Sequence, residues 1–263
     1  QAFLGNDLNT IAKQKAGIFK RGVPALSARQ PEEAAQALER QALKLGVPLT
    51  SMGQGIDARR EGDRLIFQDE DALYDLPLPA LTGALQIENA GLAIKAALML
   101  GFSTESIETG LKTAQWPGRL QPLKAGPLYE ALSDCASELW LDGGHNPHAA
   151  RALRDFIDQQ QMRDPKPLHL ICGLINTKDA AEFFSHFKGL DTHISCVSFS
   201  SDAAIPPAEL ALAAQSKGLK ADIASSPLEA IDALPQTPLR VLICGSLYLV
   251  GDWLALSEDT WPK

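Results

Sequence analysis

The sequence predicts an α/β fold with a largely parallel sheet, and three observations support this. Short apolar runs typical of strands alternate with helical runs along the 263 residues. The alternation is interrupted at Trp116-Pro117-Gly118, where we place a domain boundary, and it becomes regular beyond that point. At about 150 residues per domain, the length corresponds to about 1.75 domains. We therefore expect two domains, residues 1–115 and residues 116–263, of which the second is doubly wound.

Helices dominate the predicted first domain. We expect them over residues 10–15, 31–45, 86–100 and 104–114, with one short strand over residues 23–26. In the second helix Pro31 suits the first position, and Gly46 ends the apolar periodicity. Residues 47–80 are predicted to form irregular strands and turns, with a polar turn from Arg59 to Asp63.

The predicted second domain alternates strands and helices. Strands are expected over residues 138–141, 168–172, 193–197, 220–223 and 239–244, and helices over residues 147–161, 178–188, 207–217, 227–234 and 247–256. Ser226 and Glu229 have capping-box spacing, which supports the start of the fourth helix. In such open sheets, ligands bind at the carboxyl ends of the strands.

Composition excludes several classes of function. The net charge is -8 and no basic run exceeds two residues, which argues against a nucleic-acid partner. No stretch of 18 apolar residues and no signal peptide is visible, so we expect no membrane partner and a cytoplasmic location. The four cysteines lie far apart without a Cys-x-x-Cys pair, and we expect buried free thiols at Cys135, Cys172, Cys196 and Cys244.

One predicted strand end is rich in functional residue types. The strand ends at Asp142, two glycines follow, and Asn146 can cap a helix that starts with Pro147. This arrangement sets a carboxylate and the imidazole of His145 beside a helix N-terminus, which favours anions. His145 and His148 also have the spacing of a metal pair, but no Cys or further His stands nearby, and a zinc site is not favoured.

Two further strand ends carry Cys172-Gly173 and Cys244-Gly245-Ser246. Spacing alone favours Ser246 as the cap of the last helix, although a cap can also face a ligand. Arg119, at the boundary, is either a phosphate-binding residue or a surface residue of a linker.

Other candidate motifs give weaker evidence of function. Lys13, Lys15 and Lys20 have, by spacing alone, the pattern of a solvated helix face. The dinucleotide pattern at residues 53–58 follows no clear strand and precedes no helix with apolar periodicity, so it is rejected. No Gly-x-x-x-x-Gly-Lys-Ser/Thr loop occurs in the 263 residues.

Five ordered motifs together resemble the folylpolyglutamate synthase/dihydrofolate synthase family, a branch of the Mur ligase superfamily. They are Leu4-Gly5 with Ile11-Ala12-Lys13-Gln14-Lys15-Ala16-Gly17-Ile18-Phe19-Lys20, Gln86-Ile87-Glu88-Asn89-Ala90, Trp116-Pro117-Gly118-Arg119-Leu120-Gln121, Leu141-Asp142-Gly143-Gly144-His145-Asn146-Pro147-His148-Ala149, and Gly245-Ser246-Leu247-Tyr248-Leu249. The resemblance implies the last part of a Mur-ligase-type central ATPase domain followed by a complete Rossmann-like glutamate-binding domain.

The resemblance also implies an ATP-dependent amide ligase that adds L-glutamate to dihydropteroate, to folate or to both through an acyl phosphate. ATP and Mg²⁺ are the implied cofactors, with K⁺ as an optional further ion, and the family is usually monomeric. The implied roles are a carbamylated, metal-binding and catalytic lysine at Lys15, ATP contacts at Asn89, Arg119 and Asp142, catalysis at Asp142 and His145, and glutamate binding at His145 and Ser246.

The sequence departs from the family pattern at three points. Leu85 stands where the family has His, Gln14 stands where it has Glu, and the phosphate loop is missing. We therefore expect an N-terminally truncated fragment that neither binds ATP tightly nor turns over alone. Two alternatives remain open: a Mur peptidoglycan amino-acid ligase, and a non-catalytic binding module that has lost its phosphate loop.

Overall fold

A computed structural model of the chain describes residues 7–133, 137–176, 179–235, 237–258 and 260. The motif residues Leu4 and Gly5, the cysteine Cys135 and the predicted helix start at Lys178 lie outside these ranges. By its internal contacts the chain divides into two units, Gln1–Ala80 with Ala84–Gln115, and Leu81–Gly83 with Trp116–Lys263.

In its described residues, the first unit contains a five-stranded mixed sheet, four α-helices and a short 3-10 helix (Ala16–Ile18). In chain order its elements are α1 (Leu8–Lys15), β1 (Ala25–Ser27), α2 (Glu32–Leu45), β2 (Leu49–Met52), β3 (Gly55–Glu61), β4 (Arg64–Asp69), β5 (Leu73–Pro77), α3 (Ala84–Met99) and α4 (Thr104–Thr113). The strands follow one another in the sheet. The pairs β1–β2 and β2–β3 are parallel, and β3–β4 and β4–β5 are antiparallel.

Several predictions for this unit were wrong, including the one that no strand precedes residues 53–58, which follow β2 directly and lead into β3 rather than into a helix. Residues 47–80 form regular strands rather than irregular ones, and the sheet is mixed rather than largely parallel. Residues 59–61 belong to β3, and only Gly62 and Asp63 connect it to β4. Gly62 has a φ of +58°, so a two-residue connection suffices where the charged residues suggested a longer turn. Pro31 is the N-cap of α2 rather than its predicted first residue, because its ψ of 146° is extended and not helical. Gly46 ends that helix in the left-handed conformation as predicted.

Helix α3 packs closely on the first sheet. A β-carbon on Gly91 would lie 2.5 Å from Ala58 Cβ and 2.7 Å from Met52 Cε. Ile94, one turn further along, is buried in the same cluster as Leu65 and Phe67. The helix is thereby fixed on the sheet, while Asn89 near its start remains exposed.

The second unit has a six-stranded sheet in which five strands are parallel. Its elements are β6 (Gln121–Leu123), α5 (Pro127–Ser133), β7 (Glu138–Asp142), α6 (Pro147–Arg163), β8 (Leu168–Cys172), α7 (Ala180–Ser185), β9 (Thr192–Val197), α8 (Pro207–Gln215), β10 (Lys220–Ala224), α9 (Pro227–Asp232), β11 (Arg240–Cys244) and α10 (Leu247–Leu254). The strand order is β10-β9-β8-β11-β7-β6, and only β6 is antiparallel to its neighbour. The prediction of a doubly wound, largely parallel sheet is correct here, but β6 and α5 were missed.

Helices cover both faces of the second sheet. Apolar side chains of α6, α7 and α8 form one buried cluster against it, and those of α5, α9 and α10 form another. Because β11 enters between β8 and β7, three strands distant in sequence become neighbours. Among the described residues, no helix is long and apolar enough to cross a membrane.

Candidate functional site

Three of the strand ends singled out in the sequence meet at the carboxyl edge of the second sheet. Cys244, the last residue of β11, pairs in register with Asp142 on one side and with Cys172 on the other. The Asp142, Gly173 and Gly245 turns therefore leave the sheet side by side. We take this edge as the candidate functional site, because parallel sheets bind ligands at the carboxyl ends of their strands.

Asp142 lies buried at this edge and accepts hydrogen bonds through both carboxylate oxygens. Oδ1 accepts from the Gly144 amide at 2.6 Å, and Oδ2 accepts from the Leu120 amide at 2.8 Å. Burial raises the pKa of Asp142, although these two hydrogen bonds and the charges of Arg119 and His145 act in the opposite direction. The carboxylate thus binds two backbone segments at once, the turn that follows β7 and the residues just before β6.

The two glycines after Asp142 are required by close packing. A β-carbon on Gly143 would overlap the Leu247 side chain, and one on Gly144 would lie 2.6 Å from Asp142 Oδ1. His145 follows half-buried, with its Nδ1 3.0 Å from the Gly143 carbonyl oxygen. That contact is compatible with Nδ1 as the donor, and it leaves Nε2 with no part in this hydrogen bond.

Two helices begin at the same edge, and both have the predicted caps. Asn146 Oδ1 accepts from the Ala149 amide at 2.8 Å at the start of α6, where Pro147 takes the first position. The Ser246 hydroxyl accepts from the Tyr248 amide at 3.1 Å at the start of α10, and Ser246 is only 3% exposed. Helix N-termini favour anions, so this edge suits a carboxylate or a phosphate group.

Arg119 lies in the segment that Asp142 holds. Its Nη1 donates to the Gly118 carbonyl oxygen at 3.2 Å, and that oxygen also accepts from the Gly143 amide at 2.8 Å. The Gly118 amide donates to Gln121 Oε1 at 3.0 Å. We assigned no role to Gln121 from the sequence. Its place directly after the Trp-Pro-Gly-Arg-Leu run was the available signal, but the bonded partner is visible only in three dimensions.

The cysteines behave as predicted where the structure describes them. Cys172, Cys196 and Cys244 are buried free thiols. A hydrogen bond with Cys244 and burial raise the pKa of Cys172, and burial raises the pKa of Cys196 to about 12. Since the thiolate is the reactive form, a raised pKa makes Cys172 and Cys196 poor nucleophiles.

The predicted site residues Lys15 and Asn89 belong to the first unit. Lys15 is the last residue of α1 and is exposed. Asn89 is exposed on α3, where its Nδ2 donates to Gln86 Oε1 at 3.1 Å, and Leu85 lies one turn before it. In the part of the chain that the structure describes, no three His, Cys, Asp or Glu side chains come together as a metal site.

Sequence comparisons agree with the motifs. Residues 127–256 match the family described as "Dihydrofolate synthetase, C-terminal domain". The chain is 26% identical over 261 residues to the dihydrofolate synthase/folylpolyglutamate synthase of Bacillus subtilis, covering 95% of this chain and 58% of that protein. It is 27% identical over 264 residues to the folylpolyglutamate synthase of Lacticaseibacillus casei, again covering 95% and 58%. The chain thus spans about 58% of the length of these curated relatives.

Solved structures resemble the fold. A folylpolyglutamate synthase from Thermotoga maritima matches with a TM-score of 0.70 and 27% identity, covering 92% of this chain and 56% of that one. Escherichia coli FolC in complex with DHPP and ADP matches at 0.80 and 24%, covering 97% and 58%. A bifunctional synthase from Yersinia pestis, complexed with AMPPNP and Mn, matches at 0.78 and 24%, covering 96% and 57%.

The fold is an α/β fold of the kind seen in the solved folylpolyglutamate synthases, as the sequence predicts. Within that class the chain is a relative of the folylpolyglutamate synthase/dihydrofolate synthase family, and the resemblance inferred from its motifs is confirmed.

Proposed function

We propose that this chain forms part of an ATP-dependent ligase that adds L-glutamate to dihydropteroate, to folate or to both. The proposal is supported by the carboxyl edge of the second sheet. The turns after Asp142, Cys172 and Cys244 lie side by side there, and α6 and α10 begin there. This region matches the dihydrofolate synthetase C-terminal domain. On this proposal, residues 116–263 bind glutamate and residues 1–115 are the last part of the ATP-binding domain.

Glutamate carries two carboxylates, and we assign it to His145 and Ser246. Ser246 is buried at the start of α10, so its hydroxyl and the neighbouring amides can present donors to a carboxylate. The His145 ring is oriented through Nδ1 by the Gly143 carbonyl, which leaves Nε2 for the substrate. His145 is the residue that we expect beside the transferred phosphoryl group, where it can move a proton during amide formation.

ATP is assigned to Asn89, Arg119 and Asp142. An arginine side chain is always charged and can bind a phosphate through two parallel hydrogen bonds. We therefore assign the phosphate contact to Arg119. An exposed amide such as that of Asn89 can contact a base through its own donor and acceptor. The relatives from E. coli and Y. pestis are complexed with ADP and with AMPPNP and Mn, which supports nucleotide use with a divalent metal.

Lys15 is proposed as a carbamylated, Mg²⁺-binding residue, with K⁺ as an optional further ion. Its exposed ammonium at the end of α1 is accessible to CO₂, and the carbamate would supply one oxygen ligand. One such ligand fits Mg²⁺, which usually takes one or two carboxylates from a protein and its other ligands from water and phosphates. The bound ion would neutralise charge on the transferring phosphoryl group.

The proposed reaction has two steps. The acceptor carboxylate of the pterin substrate attacks the γ-phosphate of ATP, which gives an acyl phosphate and ADP. The glutamate amine then attacks the acyl carbon and expels phosphate, losing a proton. The main requirement is to hold two anionic reactants together, and Arg119, the metal ion and the N-termini of α6 and α10 would provide the positive charge for this.

The buried thiols support a reducing, cytoplasmic location, and we propose a monomer.

The test measures ADP release by the complete gene product that carries this sequence, with ATP, glutamate and either dihydropteroate or tetrahydrofolate. We expect ADP release that depends on both glutamate and a pterin, with formation of the glutamylated product. Turnover with a UDP-linked muropeptide and an amino acid instead would identify a Mur peptidoglycan ligase. Absence of any ATP-dependent ligation would favour the non-catalytic module and refute the proposal.

A further inference from the structure

We propose that Gln121 is a positioning residue that, together with Asp142, fixes the backbone on both sides of Arg119. The inference rests on the proposed function only in assigning Arg119 to the nucleotide. We assign Gln121 no contact with a substrate. Its side chain acts on the residue before Arg119, and Asp142 acts on the residue after it.

Hydrogen bonds occupy the backbone on either side of Arg119. The Gly118 amide donates to Gln121 Oε1 at 3.0 Å, and the Gly118 carbonyl accepts from the Gly143 amide at 2.8 Å. On the other side, the Leu120 amide donates to Asp142 Oδ2 at 2.8 Å. The two peptide groups that flank Arg119 are therefore bonded to the end of β7 and to the turn that follows it, and the peptide group before Gly118 is bonded to β6.

This segment adopts a backbone conformation that ordinary residues avoid. Gly118 has a φ of +70°, and Leu120 has a φ of +41°, the only positive φ of a non-glycine residue in the described ranges. Such a conformation persists only where surrounding interactions determine it. Leu120 is buried, and its two neighbouring anchors, the Asp142 carboxylate and the apolar cluster of α6, supply those interactions.

Gln121 is itself well anchored. It begins β6 and pairs in register with Leu141 of β7, the residue directly before Asp142. The two side chains that hold the segment thus extend from adjacent points of one strand pair. Because a long arginine side chain loses conformational freedom when it binds, fixing its backbone in advance lowers the cost of holding a phosphate.

The test is a double-mutant cycle on nucleotide binding in the complete gene product. Gln121→Met keeps the length of the side chain but removes the acceptor for the Gly118 amide. We expect the ATP KM to rise about 3- to 10-fold, the effect of one lost neutral hydrogen bond. In an Arg119→Ala background the same change should alter KM less than about 2-fold, because the residue that it positions is gone. An equal effect in both backgrounds would overturn the proposal.

A second measurement needs no nucleotide. Amide hydrogen exchange at Gly118 should accelerate in Gln121→Met and stay at the wild-type rate in Gln159→Met, a matched change on the exposed side of α6. Unchanged exchange at Gly118 in Gln121→Met would also overturn the proposal. The two proposals can fail separately. If the wild type shows no ATP-dependent ligation, the proposed function is refuted. Faster exchange at Gly118 in Gln121→Met would still support the role of Gln121 in holding the segment.

Discussion

Arg240 and Glu138 form an ion pair across β11 and β7 at the amino edge of the second sheet, with Arg240 Nε 2.9 Å from Glu138 Oε2. Arg240 is only 1% exposed, and its other nitrogens donate to Gln161 Oε1 and to the Asp164 carbonyl. Both strands end at the opposite, carboxyl edge with Cys244 and Asp142. The pair therefore stabilises the two strands that carry the candidate site without being part of it.

Removing the charge of Glu138 should destabilise the second unit. In Glu138→Gln the buried Arg240 guanidinium keeps its charge but loses its counter-ion, and we expect a loss of about 2 to 3 kcal/mol. Urea denaturation of the complete gene product measures it. Glu209→Gln, an exposed position on α8, is the matched control and should cost less than about 0.5 kcal/mol. Equal stability of the two variants would contradict this prediction.

The same carboxylate predicts a dependence of stability on pH. Burial raises the pKa of Glu138, but hydrogen bonds from Arg240, Lys166 and Trp140 outweigh it and lower the pKa to about 2. Because the folded-state pKa is lowered, the stabilisation is complete above the ordinary value of 4.5 and is lost as the pH falls toward 2.

The expected loss is about 1 to 2 kcal/mol, less than the whole pKa shift implies, since 29% of the side chain is exposed and screened by solvent. Denaturant titrations between pH 6 and pH 3 in wild type and Glu138→Gln test it. The wild type should lose more stability than the variant over that range, and parallel curves would rule the linkage out.

Gly143→Ala should disturb the start of α10. The added β-carbon would overlap the Leu247 side chain, and such overpacking costs about 1 to 3 kcal/mol. Leu247→Ala in the same chain should recover part of the loss by making room. Gly110→Ala on α4 has open space around it and should leave stability unchanged or slightly higher. Thermal denaturation compares the four proteins, and a Gly143→Ala variant as stable as Gly110→Ala would contradict the close approach.

Ser246→Ala should separate capping from substrate binding. Loss of the cap costs about 0.5 to 2 kcal/mol of stability, and Ser226→Ala, which removes the cap of α9, should cost a similar amount. If Ser246 also binds glutamate, only Ser246→Ala should raise the glutamate KM, by about 10-fold, with the ATP KM unchanged. Steady-state kinetics on both variants decide it, and equal glutamate KM values would assign Ser246 to structure alone.

Lys15→Ala should abolish ligation if the lysine acts as a carbamate, and Lys13→Ala, two residues earlier on α1, should not. The wild-type rate should fall when CO₂ is removed from the buffer and recover on addition of bicarbonate, because carbamylation is reversible. Assays at saturating ATP and glutamate measure both effects. A wild-type rate that is indifferent to bicarbonate, with full activity in Lys15→Ala, would exclude the proposed role.

Local sequence signals were enough for most of the second unit. Asn146 before Pro147 and the capping-box spacing of Ser226 and Glu229 predicted helix starts that the structure contains, because an N-cap hydrogen bond forms within three residues. The strands could also be predicted from their apolar runs, since strands buried on both faces need continuous hydrophobic residues. The strands in residues 47–80 were harder to predict, because a hairpin joined by only two residues leaves little turn signal between its strands.

The sequence by itself determined the fold class, the strand ends with Asp142, Cys172 and Cys244, and the motifs that define the family. Only the tertiary structure decided that β11 lies between β8 and β7, which makes those ends neighbours. It also decided that Gln121 and Asp142 hold the backbone around Arg119. The reason is that helix caps and apolar runs are local, whereas strand order and the partner of a buried polar atom depend on residues far apart in the chain.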